Sequence, residues 1–284
     1  MSRLRTFFLE TTPEAGPASL APPDKEHALK VLRVRPGDRL LGIDGCGKAW
    51  ELEVTKAERR RLQLESIGPA RVEPAPGTAA SALPWIEVWA PLPKRDRAED
   101  LLGQLTQLGV ARYVPLITAH TEPQARELPE SRESRMIRTA REALKQCGRL
   151  WMPEIGPVTP IKALAELPGQ TLLLAPDAST RLSDYLNGLP SGFEGAAPEP
   201  GGPDQESPVE SSAEPPREPV GGEQARPTPE RPIRLVFGPE GGLNESEEAF
   251  LAENGAIPVR VARHILRIET AALTSLAIVA ERWS

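Results

Sequence analysis

From residue 84 onward, short apolar runs alternate with stretches of helical periodicity. Runs at 85–90, 111–117, 172–175, Ile233–Phe237 and 257–261 are bounded by turn residues and predict buried parallel strands. Between them, 95–108 and 132–146 read as amphipathic helices, the second with Met136, Ile137, Ala140 and Leu144 on its apolar face. A short helix at 182–186, a helix at 245–253 and a last one from about 269 to 283 complete the alternation. Strand followed by helix, repeated, predicts an α/β domain whose mostly parallel sheet is covered on both faces. The first 72 residues differ. Strand-like stretches at 39–44, 49–56 and 61–67 are separated by the turn signals Pro36-Gly37-Asp38 and Asp44-Gly45, with one helix near 25–33. That pattern predicts a small β-barrel domain. The expected division is 1–72 for the barrel, 73–83 for a linker opened by Glu73-Pro74-Ala75-Pro76-Gly77, and 84–284 for the α/β domain.

Composition changes this picture at one place. Residues 190–232 hold eleven prolines and six glycines but a single aromatic residue, Phe193. Such a segment buries too little apolar surface to offset its ordering entropy, so it is expected to be a disordered insertion within the α/β domain. It also carries nine acidic and three basic residues. Taking these from the 40 acidic and 34 basic residues of the chain leaves 31 of each. The net charge of −6 therefore comes from the insertion, and a basic face on the remainder stays possible. The first ten residues lack a long apolar run, and no later segment approaches membrane-spanning length, so a soluble, cytoplasmic protein is expected. Cys46 and Cys147 lie far apart and near no histidine cluster, which predicts free thiols and no metal site.

Candidate chemistry concentrates near the C-terminus. Gly238-Pro239-Glu240-Gly241-Gly242 follows an apolar strand and precedes Asn244 and Glu247, the spacing of a helix capping box. A strand, a glycine-rich turn and a helix N-terminus make a rim of backbone N–H groups where a polar small molecule can sit. The turn lacks the Lys-Ser/Thr of a P-loop and the spacing of a dinucleotide fingerprint. A second segment, Ile265-Leu266-Arg267-Ile268-Glu269-Thr270-Ala271, lies one helix and one strand downstream. Both loops fall at carboxyl ends of strands, where parallel sheets bind ligands.

The two segments together resemble the RsmE family of SPOUT-class methyltransferases. The likeness extends to Pro91-Leu92-Pro93-Lys94 with Asp96-Arg97, to Leu108-Gly109-Val110 with Val114-Pro115-Leu116, and to Gln146-Cys147-Gly148-Arg149 with Pro153-Glu154. His27, Val31-Leu32-Arg33 and Pro36-Gly37-Asp38 resemble a PUA-like RNA-binding module. Departures from the family pattern are Ala262 for a glycine, His264 for an arginine or other polar residue, Gln107 for a glutamate and Ile268 for a threonine.

The resemblance implies S-adenosylmethionine-dependent methylation of N3 of a specific uridine in 16S ribosomal RNA. It further implies a deep trefoil knot in the α/β domain and a homodimer with shared active sites. Cofactor contacts would come from Leu174, Ala175, Pro176, Gly238, Pro239, Gly241, Gly242, Ile265, Leu266 and Arg267. Candidates for the chemistry are Arg267, Glu240 and Glu269. A carboxylate could accept the N3 proton and a guanidinium could stabilise the resulting anion. Plainer roles compete: a structural salt bridge for Arg267, and helix or loop stabilisation for the two glutamates. Arg3, Arg5, Lys30, Arg33 and Arg35 are candidate contacts to RNA phosphates, or simply solvated charges. Two alternatives to the main expectation are a ribose 2′-O-methyltransferase of the same class and a non-catalytic RNA-binding relative.

Overall fold

The computed structural model describes residues 4–59, 61–94, 96–189 and 227–283. Arg3 and residues 190–226 of the expected insertion lie outside the described residues.

The N-terminal sheet contains β1 (Arg5–Thr11), β2 (Ser19–Leu20), β3 (Arg39–Ile43), β4 (Lys48–Ala57), β5 (Leu62–Ser66) and β6 (Arg71–Val72). Its order is β2-β1-β3-β4-β5, with β6 also on β4. β1 and β3 run parallel, whereas β3–β4 and β4–β5 are antiparallel. β2 returns against β5, so the sheet nearly closes around Phe7, Leu40, Trp50, Leu52 and Val54. The expected helix is short: α1 (Pro22–Glu26) runs into a π-helical turn, His27–Leu32, which stops at Arg33 in the left-handed region (φ 52°).

The second sheet is wholly parallel. Its elements are β7 (Ile86–Ala90), α2 (Arg97–Gln107), β8 (Arg112–Ile117), α3 (Glu130–Cys147), β9 (Glu154–Ile155), β10 (Thr159–Pro160), β11 (Gln170–Leu174), α4 (Leu182–Asn187), β12 (Ile233–Phe237), α5 (Glu245–Glu253), β13 (Ile257–Val259) and α6 (Ile268–Glu281). The order is β10-β8-β7-β12-β11-β13, with β9 on β8. Every residue of β7 and β12 is buried, as helices on both faces require. On one face Leu101, Leu105, Met136, Ala272 and Leu276 pack on Val88, Leu172 and Leu235. On the other, Leu251, Ile161 and Leu164 pack on Trp89, Leu173 and Val236. Each such large side chain contributes about 1.5–3 kcal/mol through burial.

The two sheets are clamped together. Leu144 and Leu150 share a core with Phe8, Ile43 and Ala49. The Gly47 N–H donates to Leu150 O (3.0 Å), and the Met152 N–H to Gly45 O (2.9 Å). A Cβ on Gly47 would lie 2.5 Å from the Trp151 ring, and its φ is +96°, so this close approach needs glycine. Lys145 on α3 donates to Asp24 of α1 at 2.7 Å, and Asp24 also accepts the Phe8 N–H. Burial acts to lower the Lys145 pKa, but its hydrogen bonds and charge attraction to Asp24 and Glu142 together outweigh that and hold it raised.

The segment expected to be a linker packs on both sheets. The Glu73 N–H donates to Gly47 O at 2.8 Å, while its carbonyl accepts from Trp151 Nε1 (2.8 Å) and its carboxylate from the Leu150 N–H (3.1 Å). The described chain also resumes at Pro227 rather than Ile233. Pro227 is buried, and its carbonyl accepts the Trp85 N–H at 2.9 Å. Cys46 and Cys147 are free thiols. No described helix is long and apolar enough to cross a membrane.

Candidate active site

β12 ends at buried Phe237, and the chain turns sharply before α5. The Gly242 N–H donates to Pro239 O at 2.8 Å, which closes the turn, and Gly242 has a φ of +73°. The capping box is present as expected: Asn244 Oδ1 accepts the Glu247 N–H (2.8 Å), and Glu247 Oε2 accepts the Asn244 N–H (3.1 Å). The other carboxylate oxygen of Glu247 reaches outside the motif and accepts the Ala119 N–H at 2.7 Å. His120 Nδ1 donates to Gly242 O at 3.0 Å. One buried carboxylate and one imidazole therefore pin the loop after β8 to the glycine turn.

Two further segments face this turn. The end of β11 continues into Ala175, whose N–H donates to Val259 O at 3.0 Å and so ties it to β13. The loop after β13 then leads into α6, with Arg267 at its N-cap position. Together they enclose a cleft of about 380 Å³. Leu173, Phe237, Val259 and Ile268 form an apolar floor, and the carboxylates of Asp177, Glu240 and Glu248 stand on its walls.

Most of the expected cofactor residues meet here. Leu174, Ala175, Pro176, Gly238, Pro239, Gly241, Gly242, Ile265 and Leu266 all line the cleft. Arg267 does not. Its backbone is extended (φ −64°, ψ 151°) and its side chain is exposed. Of the candidate carboxylates, Glu240 lines the cleft and is exposed, whereas Glu269 lies off it, paired with Arg97 at 3.2 Å. Arg5, Lys30, Arg33 and Arg35 are exposed on the barrel, far from this cleft in sequence, and Lys30 pairs with Glu26. Asp177, Glu248 and His120 were missed. Asp177 directly follows the strand-end residues and Glu248 the capping box, so both had a local signal, while His120 had none. Among the described residues, no His/Cys/Asp/Glu group could hold a metal ion.

A family model described as an RNA methyltransferase domain matches residues 81–195 and 210–280. A second, an RNA methyltransferase PUA domain, matches 20–65. The chain is 27% identical over 253 residues to ribosomal RNA small subunit methyltransferase E of Synechocystis sp., covering 87% of this chain and 67% of that one. The Mycobacterium bovis protein of the same name is 25% identical over 291 residues, covering 98% and 92%. Among solved structures, the Neisseria gonorrhoeae small subunit methyltransferase E bound to S-adenosyl methionine superposes with a TM-score of 0.68 at 24% identity, covering 97% and 96%. A Legionella pneumophila protein solved with SAM gives the same TM-score at 20% identity, covering 98% and 97%. A parallel sheet ending in this cleft, a barrel clamped beside it, and matches that span both give one result: the chain belongs to the RNA methyltransferase domain family, in its RsmE group.

Proposed function

We propose that this chain transfers a methyl group from S-adenosylmethionine to N3 of a uridine in small-subunit ribosomal RNA. The observation that carries this is the donor set of the cleft. An apolar floor suits a planar base, backbone groups of the glycine turn suit its ring nitrogens, and Asp177, Glu240 and Glu248 suit ribose hydroxyls and a cationic ammonium and sulfonium. Leu174, Ala175, Pro176, Gly238, Pro239, Gly241, Gly242, Ile265 and Leu266 would hold the cofactor through backbone and apolar contacts. When bound, it supplies an electrophilic methyl group.

The protein has two tasks. It must remove the N3 proton, and it must stabilise the charge left on the base. Glu240, exposed on the cleft wall, is suited to accept the proton. Glu269 is less suited, because it lies off the cleft and its carboxylate is occupied by Arg97. Arg267, on the segment that lines the cleft but turned to solvent, is suited to the anion. The barrel residues Arg5, Lys30, Arg33 and Arg35 would hold phosphates and set register rather than sequence. The same proposal includes a cytoplasmic location, a trefoil knot and a homodimer. Ile265, 86% exposed at the cleft, is an apolar surface that a second copy would cover, and a monomeric mass in light scattering excludes the dimer.

The test is transfer of labelled methyl from S-adenosylmethionine to small subunits of a strain lacking the modification, with the product located by mass spectrometry. Methyl on uridine N3 is expected, and its absence sinks the proposal. Arg267→Ala should lower kcat on the order of 100-fold with cofactor affinity little changed. Unchanged turnover at saturating cofactor removes Arg267 from the chemistry.

A further inference from the structure

We infer that a second, basic cleft beside the first binds a phosphate of the RNA strand through Arg181, Arg260 and Arg263. This inference rests on the proposed RNA substrate. The cleft measures about 310 Å³ and shares Arg260, Val261 and Ala262 with the first. Among the described residues, no carboxylate lines it.

Its construction is unusual for a purely structural surface. The Arg260 N–H donates to Thr180 O (3.0 Å), and the Leu182 N–H donates to Arg260 O (2.9 Å). These two bonds make Arg181 and Arg260 partners in a parallel bridge. Bridge partners send their side chains to the same face, and like charges set opposite each other oppose the pairing. Arg263 adds a third guanidinium three residues on. Among the described residues, the side chains of Arg181 and Arg263 have no hydrogen-bond or ion-pair partner. Arg260 Nε donates to Ala178 O at 2.8 Å, which fixes its planar head. Three guanidinium groups without a carboxylate are balanced by an anion, and their forked donors match phosphate oxygens. Because the two clefts meet at 260–262, a strand with its base over the first has neighbouring phosphates over the second.

The family likeness does not explain this cleft. Arg263 occupies a position that the RsmE pattern leaves variable.

The experiment uses the full chain with Arg181→Ala and Arg263→Ala combined. Arg260 is left in place because it holds the Ala178 carbonyl. Binding of a fluorescent small-subunit RNA fragment is followed by anisotropy across a salt series, and S-adenosylmethionine binding by calorimetry. Loss of these contacts to the one phosphate should lower the slope of log K against log salt by about 0.7, and weaken binding roughly tenfold. Cofactor affinity should hold, and lysine at both positions should restore the slope. An alanine variant with the wild-type RNA affinity and slope overturns the inference. So does a wild-type cleft that binds inorganic phosphate while its loss leaves RNA binding untouched, because the site then serves a free ion. Failure of methyl transfer by the wild-type protein bears on the proposed function instead, and the salt slope reports the cleft separately from it.

Discussion

Glu87→Ala is expected to destabilise the fold by about 3–5 kcal/mol. Glu87 on β7 and Arg234 on β12 are register partners in the middle of the parallel sheet, 4% and 3% exposed. One carboxylate oxygen accepts from Arg234 Nε (3.1 Å) and Trp89 Nε1 (2.8 Å), and the other from Trp85 Nε1 (3.3 Å). Burial pushes the Arg234 pKa down, and the charge of Glu87 opposes that shift. Alanine would leave a buried guanidinium with only the carbonyls of Leu167 and Pro168, and two indole N–H groups with none of these bonds. Urea denaturation should show a lower midpoint with the slope unchanged. Glu87→Leu with Arg234→Met should recover most of the loss, since a buried pair replaced as a unit by apolar side chains is close to neutral. A single variant within about 1 kcal/mol of wild type would mean that the pair is not the buried anchor described.

Ala271→Phe is expected to weaken cofactor binding roughly ten- to hundredfold while the fold persists. Ala271 lies on the first turn of α6 and lines the large cleft. On the proposed cofactor site, a benzyl group there would fill space that the cofactor needs, and relieving the overlap would cost about 1–3 kcal/mol, roughly a ten- to hundredfold loss of affinity. Calorimetry with S-adenosylmethionine measures this, and the thermal midpoint checks the fold. Wild-type affinity in a folded variant would move the cofactor site away from this cleft.

Much of the second sheet was legible because both of its periodicities are local. The five strands expected after residue 84 are present, and the helix expected at 245–253 has those bounds and its capping box. The order of the strands was not legible, since it depends on pairings such as β7 with β12 across more than a hundred residues of chain. Arg234 passed as part of an apolar run, because its burial rests on Glu87 and not on its neighbours in sequence. β1, with its alternating Phe7 and Leu9, was missed beside the stronger turn signals that follow it. Proline content placed 227–232 with the insertion, although Pro227 closes against Trp85. Within the site, the glycine turn and its partner loop were readable as motifs. The contacts of Glu247 with Ala119 and of His120 with Gly242 join segments 122 or more residues apart and left no local trace.

The clamp between the barrel and the parallel sheet has one more consequence. Among the described residues, Lys145 with Asp24, and Gly47 against Trp151, tie the barrel that carries the arginines to the sheet that carries the cleft. On the proposed function, an RNA gripped by the first and modified at the second would be measured as a length. The nucleotide presented for modification would then be selected by its distance from the grip, as on a ruler, and a change in that spacing would redirect modification without altering a single group in the cleft.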